Sequence, residues 1–289
     1  MVLGITDRKG KIIRENSAQD RFLDKMYGHA AGRVLLMPLI TPAFSKIGGK
    51  LLDSKISRIF IPLFIRSHSI DMREYEQKKY QSYNDFFTRK MMLFARKIEW
   101  DPNIFISPCD GRLSVCRISK KSIFKIKHSK YTVKSLLKNS KLAEAYAGGY
   151  IWIFRLRVDD YHRYVYTDSG SVCANVKIPG IFHTVNPVAN EYFPIYKENA
   201  REYSLIKSDH FGMIIQMEVG ALLVGKIENR HNVKAIKRGQ ERGNFAFGGS
   251  TIILMTKQGE VLPDKDILKN TMRGIETKIK LGERVGVKE

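Results

Sequence analysis

Acidic residues are in short supply: 29 Asp and Glu stand against 50 Lys and Arg, leaving a formal charge of +21. So basic a surface attracts polyanions, whether nucleic acid, an anionic membrane face or acidic substrates. A lysine-rich proteome would raise the basic count as well. Cysteine is sparse, with only Cys109, Cys116 and Cys173, and no CxxC or Cys/His cluster has zinc spacing. That excludes a disulfide framework and a structural metal, and makes a reducing cytoplasm the expected setting. The start, MVLGITDRKGKIIREN, lacks the apolar core of a signal peptide. No run reaches the roughly 18 uncharged apolar residues of a membrane-spanning helix. Helix-turn-helix, zinc-finger and basic-aromatic RNA patterns are missing too, so charge alone speaks for nucleic acid, and no nucleic-acid partner is expected.

What is present is a globular composition, 43% hydrophobic and 10% aromatic over 289 residues. Residues 17 to 75 read as short helices broken by Pro38, Pro42 and the pair Gly48–Gly49. Within them Phe60, Ile61, Leu63, Phe64 and Ile65 form an apolar knot flanked by Arg58 and Arg66. Such a segment packs on a core or lies in a membrane interface. From about residue 100 the texture changes to short β-rich runs between glycine and polar turns: IFISPCDGRLSVCRI, GYIWIFRL, VYTDSGSVCANVKIPG, GMIIQMEVGALLVGKI and STIILMT. The expected fold is α+β, with an N-terminal helical region (1–78), for which pattern alone favours packing on the core, and a β-rich domain (79–289).

One stretch, FAFGGSTIILMT at 245–256, places a hydroxyl directly behind a residue without a side chain, at the mouth of a strand. A glycine turn feeding a buried strand accounts for the pattern. So does a reactive peptide bond. A serine hydroxyl held against the preceding carbonyl can convert the amide to an ester, and Gly249 removes the steric obstacle to that attack. β-Elimination then leaves dehydroalanine, and hydrolysis leaves a pyruvoyl group at residue 250. Its ketone forms a Schiff base with an amine and acts as an electron sink for decarboxylation.

The segments FFTRKMMLFARKIEWDPNIFISPCDGRLS, DDYHRYVYTDSG, HTVNP, NAREY, MEVGALLVGKI and RGQERGNFAFGGSTIIL follow one another in the order found in phosphatidylserine decarboxylases, which this chain resembles over residues 80 to 260. The resemblance implies a pyruvoyl-dependent lyase that cleaves itself between Gly249 and Ser250, leaving associated chains 1–249 and 250–289. Ser250 is then both the cleavage nucleophile and the pyruvoyl precursor. Asp110, in SPCDG, matches the aspartate of the processing triad, which orients an imidazole; by itself Asp-Gly is a turn signal. His162, in DYHR, matches the histidine that assists decarboxylation. The chain departs from the pattern three residues later, where the triad histidine is replaced by Val165. His183, opening HTVNP, is the candidate for the missing base. Arg89 and Arg201 also match family positions and are candidates for holding the lipid phosphate or the serine carboxylate. Gly220 and Gly225 are read as close backbone packing.

The resemblance further implies phosphatidylserine as substrate, phosphatidylethanolamine as product, and an anionic phospholipid membrane as partner, contacted by the N-terminal helical region through Phe60 to Ile65 and the segment RVLLMPLI. It implies a homodimer and a peripheral place at the cytoplasmic face. The alternative is a non-catalytic membrane relative that has lost self-processing, a reading kept alive by Val165.

Overall fold

The structure is a computed structural model and describes residues 4–13, 42–121, 123–126, 129–181, 198–220, 227–230, 234–246 and 250–289. Among them it has eighteen strands and six α-helices. The first two strands, β1 (Ile5–Thr6) and β2 (Ile12–Ile13), form a hairpin. Helices α1 (Pro42–Asp53), α2 (Ile61–His68) and α3 (Tyr83–Phe87) follow, with a 3-10 turn at Lys55–Phe60 between the first two. The β-rich part comprises β3 (Ile104–Ile106), β4 (Gly111–Arg117), β5 (Ile123–Ile126), β6 (Ser129–Thr132), α4 (Val133–Leu137), α5 (Ser140–Glu144), β7 (Tyr150–Leu156), β8 (Arg163–Val165) and β9 (Gly170–Ile178). Beyond these come β10 (Arg201–Ser208), β11 (Met213–Val219), β12 (Ile227–Asn229), β13 (Ala235–Ile236), β14 (Glu241–Phe245), β15 (Ser250–Thr256), β16 (Val261–Pro263), α6 (Lys265–Met272), β17 (Glu276–Ile279) and β18 (Arg284–Lys288).

Ten strands join one sheet in the order β13-β9-β10-β11-β15-β7-β4-β17-β1-β2. Its pairs are antiparallel except β1 with β17. The chain is thus β-rich and α+β, as the strand-length apolar runs predict. The central strands β7 and β15 are buried on both faces, so they read as near-continuous apolar runs without alternation. One face packs Ile151, Ile153, Met217, Val219, Ile253 and Met255 against α4 and α5. The other packs Trp152, Phe154, Leu156, Ile252 and Leu254 against residues of the smaller sheets and α6.

Two local departures from the sequence reading stand out in the N-terminal region. Residues 5–13, inside the stretch read as helical, instead extend the large sheet beside β17. Helix α1 runs through Gly48–Gly49, where a break is expected. Pro42 occupies its first turn, where a missing N–H costs nothing. Its last turn is held from outside: Leu52 packs on the Phe86–Phe87 cluster, and Asn84 donates to Asp53 at 2.8 Å. Tertiary contact offsets the glycine penalty of about 1 kcal/mol per residue.

Of the apolar knot, Ile61 is buried, Phe64 and Ile65 are half-buried, and Phe60 and Leu63 face outward with Leu51, Ile56 and Ile59. The segment RVLLMPLI lies outside the described residues. No described helix is long and apolar enough to cross a membrane.

Candidate active site

Strand register puts Ser250, Arg201 and, just before β4, Asp110 at one end of the large sheet. Ser250, the first residue of β15, pairs with Leu156 of β7. Thr251, Arg155 and Arg112 form the next row inward across β15, β7 and β4. Gly111 therefore opens β4 beside Leu156, with Asp110 just before it. Gly111 is required there: a Cβ would sit 2.9 Å from the Arg155 carbonyl oxygen. The loop 157–162 leaves β7 from this same end. The described residues flanking 182–197, Ile181 and Glu198, lie there as well, bonded N to O at 3.1 Å.

Ser250 is 1% exposed, and its Oγ has no hydrogen-bond partner among the described residues. The neighbouring Thr251 Oγ1 is likewise buried and unpartnered. Leaving a hydroxyl so placed costs about 1–3 kcal/mol, which a structural serine would avoid by bonding to a carbonyl. Gly249 lies outside the described residues.

Asp110 is almost fully buried, and its partner is an arginine. Arg96 donates from Nε to Oδ1 at 3.0 Å and from Nη2 to Oδ2 at 2.7 Å, and the Leu281 backbone N–H adds a bond to Oδ1 at 2.8 Å. Arg96 also bridges to Glu74 at 2.9 Å. Burial alone would depress Arg96, but its bonds to Asp110 and Glu74 raise it, so the cation is permanent. Where the family pattern has its triad histidine, Val165 lies in an apolar wall with Tyr75, Tyr161 and Leu281. Its backbone N–H is bonded to the Pro108 carbonyl at 2.9 Å. Neither Arg96 nor the wall carries a distinguishing sequence signal.

His162 is fully buried. Its Nδ1 lies 3.0 Å from the Asp160 carbonyl oxygen, and its ring stacks at 4.1 Å on Phe87. Its carbonyl accepts from Phe245 N at 3.0 Å, tying it to β14, the strand that leads toward Gly249–Ser250. Burial pushes the neighbouring Asp160 carboxyl up, to about 6, against the pull of Arg112, with which it forms an ion pair. Burial likewise pushes the Cys109 thiol well up, with Asp110 and Asp160 adding to the effect, so it stays a protonated, unreactive group.

Arg89 is 1% exposed, with its guanidinium over Tyr75 at 4.4 Å and Phe86 at 5.0 Å. Arg201 sits on the opposite sheet face from Ser250. It donates to the carbonyls of Leu136 (2.8 Å), Asn199 (2.9 Å) and Ser135 (3.1 Å), so it caps the end of α4; burial lowers it to about 10. His183 lies outside the described residues. Among the described residues, no group of three or more His, Cys, Asp or Glu could hold a metal ion.

A buried serine whose hydroxyl has no partner among the described residues, the Arg96–Asp110 and Arg112–Asp160 pairs and the buried His162 are the polar groups gathered near this sheet end. The family model for phosphatidylserine decarboxylase matches residues 83–287. The chain is 46% identical over 277 residues to phosphatidylserine decarboxylase proenzyme 2 of Clostridium acetobutylicum, covering 96% of this chain and 95% of the relative. It is 40% identical over 294 residues to the phosphatidylserine decarboxylase proenzyme of Clostridium novyi, covering 99% and 100%. The proenzyme of Clostridium tetani matches at 43% over 250 residues, covering 85% and 84%. The chain belongs to the phosphatidylserine decarboxylase family and is an enzyme of that class.

Proposed function

We propose that the chain cleaves itself between Gly249 and Ser250 and then decarboxylates phosphatidylserine to phosphatidylethanolamine. The observation that carries this reading is the buried Ser250 Oγ, without a hydrogen-bond partner among the described residues, at the first position of a fully buried strand. A hydroxyl without a structural bond is free to attack the carbonyl before it. In that attack the Oγ–C bond forms and the C–N bond breaks, with the hydroxyl proton passing through a base to the departing nitrogen. Gly220 and Gly111, near Ser250 at this sheet end, carry no side chain to fill the space. The pyruvoyl group formed from Ser250 supplies a ketone that withdraws the electron pair left by CO2.

His183 is the proposed base. Val165 cannot accept a proton, and the two described residues that flank 182–197, Ile181 and Glu198, lie at the sheet end where Ser250 lies. Asp110 supplies negative charge beside that end, held in place by Arg96. His162 contacts the substrate carboxylate or handles the proton added at the carbon that loses CO2.

The enzyme works at the surface of an anionic membrane on its cytoplasmic face. The +21 charge and the outward-facing Ile59, Phe60 and Leu63 support this. So do Leu93 and Phe94, at 86% and 96% exposure, which the sequence pattern did not single out. Phe94 sits at φ 79°, a left-handed conformation costing an aromatic residue about 1–3 kcal/mol. Holding an exposed aromatic there suits a turn that inserts into lipid.

A denaturing intact-mass spectrum of freshly purified protein tests the reading. Two species dividing at 249/250, the shorter one carrying pyruvoyl in place of serine, are expected. His183→Ala should then abolish the division. A single full-length mass in the unaltered protein would leave the non-catalytic membrane relative, consistent with Val165, as the reading.

A further inference from the structure

The β1–β2 hairpin belongs to the long piece that self-cleavage would leave, yet it is fastened to the short one. Among the described residues, every hydrogen bond and ion pair that residues 4–13 make beyond the hairpin ends within 264–284. β1 pairs in parallel with β17, Ile5 beside Glu276 and Thr6 beside Thr277, and Glu276 N donates to the Gly4 carbonyl at 3.0 Å. Asn270 Nδ2 donates at 3.0 Å to both Thr6 Oγ1 and Thr277 Oγ1, so one amide of α6 joins the two strands. Ile5 and Thr6 are both buried. Arg8, in the hairpin turn, donates from Nε to Asp266 Oδ2 at 2.6 Å and from Nη2 to Asp264 Oδ2 at 2.7 Å and Asp266 Oδ1 at 3.1 Å. Its Nη1 donates to the Arg284 carbonyl, with Glu283 Oε1 3.7 Å away. Asp264 also takes Arg284 at 3.0 Å. Without Arg8 these ion pairs would leave three carboxylates of the short piece to one guanidinium, and like charges so close repel.

Sheet order gives this fastening a purpose. β15 lies between β11 and β7, and β17 between β4 and β1, so each strand of 250–289 in the large sheet has a strand of 1–249 on both sides. Without the hairpin, β17 would be an edge with a row of open N–H and C=O groups. A cut at 249/250 removes the covalent link, and the pieces then stay together only if their contacts outweigh the freedom gained on separation. We infer that the β1–β2 hairpin is a clasp for segment 250–289, covering the edge of β17 and retaining the cut piece through Arg8 and its carboxylates Asp264, Asp266 and Glu283. This rests on the self-cleavage reading but adds what that reading does not supply: a binding surface, its partner and the residues that join them.

The test compares unaltered protein, Arg8→Ala, Arg8→Lys and Lys9→Ala, the last removing an exposed charge from the same turn. Intact mass first shows whether each has divided at 249/250. Divided protein is then held in dilute urea, and loss of the 250–289 piece is followed by gel filtration with mass detection. In Arg8→Ala the piece should leave about 10-fold faster, in Arg8→Lys by a smaller factor, and in Lys9→Ala at the unaltered rate. High salt should bring the unaltered protein toward Arg8→Ala. In undivided Ser250→Ala, adding Arg8→Ala should quicken hydrogen exchange at the Glu276 amide, which is bonded to Gly4, by about 10-fold. No quickening there would show that Arg8 does not hold the hairpin, and the inference is wrong. Release at an unchanged rate in Arg8→Ala overturns it too, whether or not the melting temperature falls. So does equal acceleration in Arg8→Ala and Lys9→Ala, which would reduce the effect to net charge. Should Arg8→Ala not fold, release from Arg8→Lys at the unaltered rate overturns the inference. A single full-length mass in the unaltered protein fails the self-cleavage reading and the clasp with it, whereas division followed by unchanged release fails the clasp alone.

Discussion

The two ends of the ten-stranded sheet treat their polar groups in opposite ways. At the end remote from Ser250, Asp168 accepts from Ser208 Oγ at 2.5 Å, from Arg238 Nη2 at 3.0 Å and from the His210 backbone N at 3.1 Å. The His210 ring nitrogen lies 3.1 Å away, and Arg238 goes on to the carbonyls of Glu99 and Asp101. At the near end, Ser250 Oγ, Thr251 Oγ1 and two nitrogens of Arg89 are buried with no partner among the described residues. Both ends are dry, so the same desolvation cost applies to each. Where a polar cluster only holds structure, the fold satisfies it. Under the proposed function, the open groups at the near end are left for substrate or chemistry to complete.

Ser250→Ala tests the contrast most severely. It should abolish the 249/250 division and all decarboxylation, while the melting temperature stays the same or rises, since a buried hydroxyl without a partner is removed. Mass spectrometry and thermal melting on one sample read both effects. A drop in stability by several kcal/mol would show that Ser250 bears structure after all.

Asp168→Asn should do the reverse. It strips the charge from a carboxylate that faces buried Arg238, and a cost of about 3–5 kcal/mol follows, with cleavage unaffected in the folded fraction. The pH dependence has a definite sign. Burial alone would raise Asp168, but its bonds from Ser208, His210 and Arg238 hold it below the ordinary carboxylate value. Its stabilisation is therefore complete above the unfolded value of about 3.9 and lost as pH falls through the lower folded one. Chemical denaturation from pH 7 to pH 2 should show a shallower acid limb in Asp168→Asn than in the unaltered protein.

Asp110→Asn falls between these two, because the residue belongs to the near end yet is fully bonded. It should slow self-cleavage by about 10²–10⁴-fold if Asp110 supports the base, by analogy with the loss of an orienting carboxylate in a triad. Time-resolved gels after synthesis in a cell-free system would measure the rate. An unchanged rate would make the Arg96–Asp110 pair structural and move it into the company of Asp168.

The smallest effect is expected at the exposed turn. Replacing Leu93 and Phe94 with Ser should weaken partition onto anionic vesicles by a few-fold, about 1 kcal/mol, in a sedimentation assay. No change would remove this turn from the membrane contact.

The strand runs were legible because each is local. Consecutive apolar residues bounded by glycine specify a buried strand. STIILMT appears as β15 with its predicted bounds, 250–256. The order of the motifs along the chain was enough to identify the family. What the sequence by itself could not supply was partnership. Arg96 and Arg201 look alike as letters, yet one clamps Asp110, 14 residues on, and the other caps α4, 65 residues back, and only the folded chain brings each pair together. The hairpin at residues 5–13 is too short to form alone; only β17, more than 250 residues on, gives it an edge to pair with. And Arg89 stands apart from other buried arginines only once the packing has taken it out of water and brought it no carboxylate, a matter of burial and distance that exists in three dimensions alone.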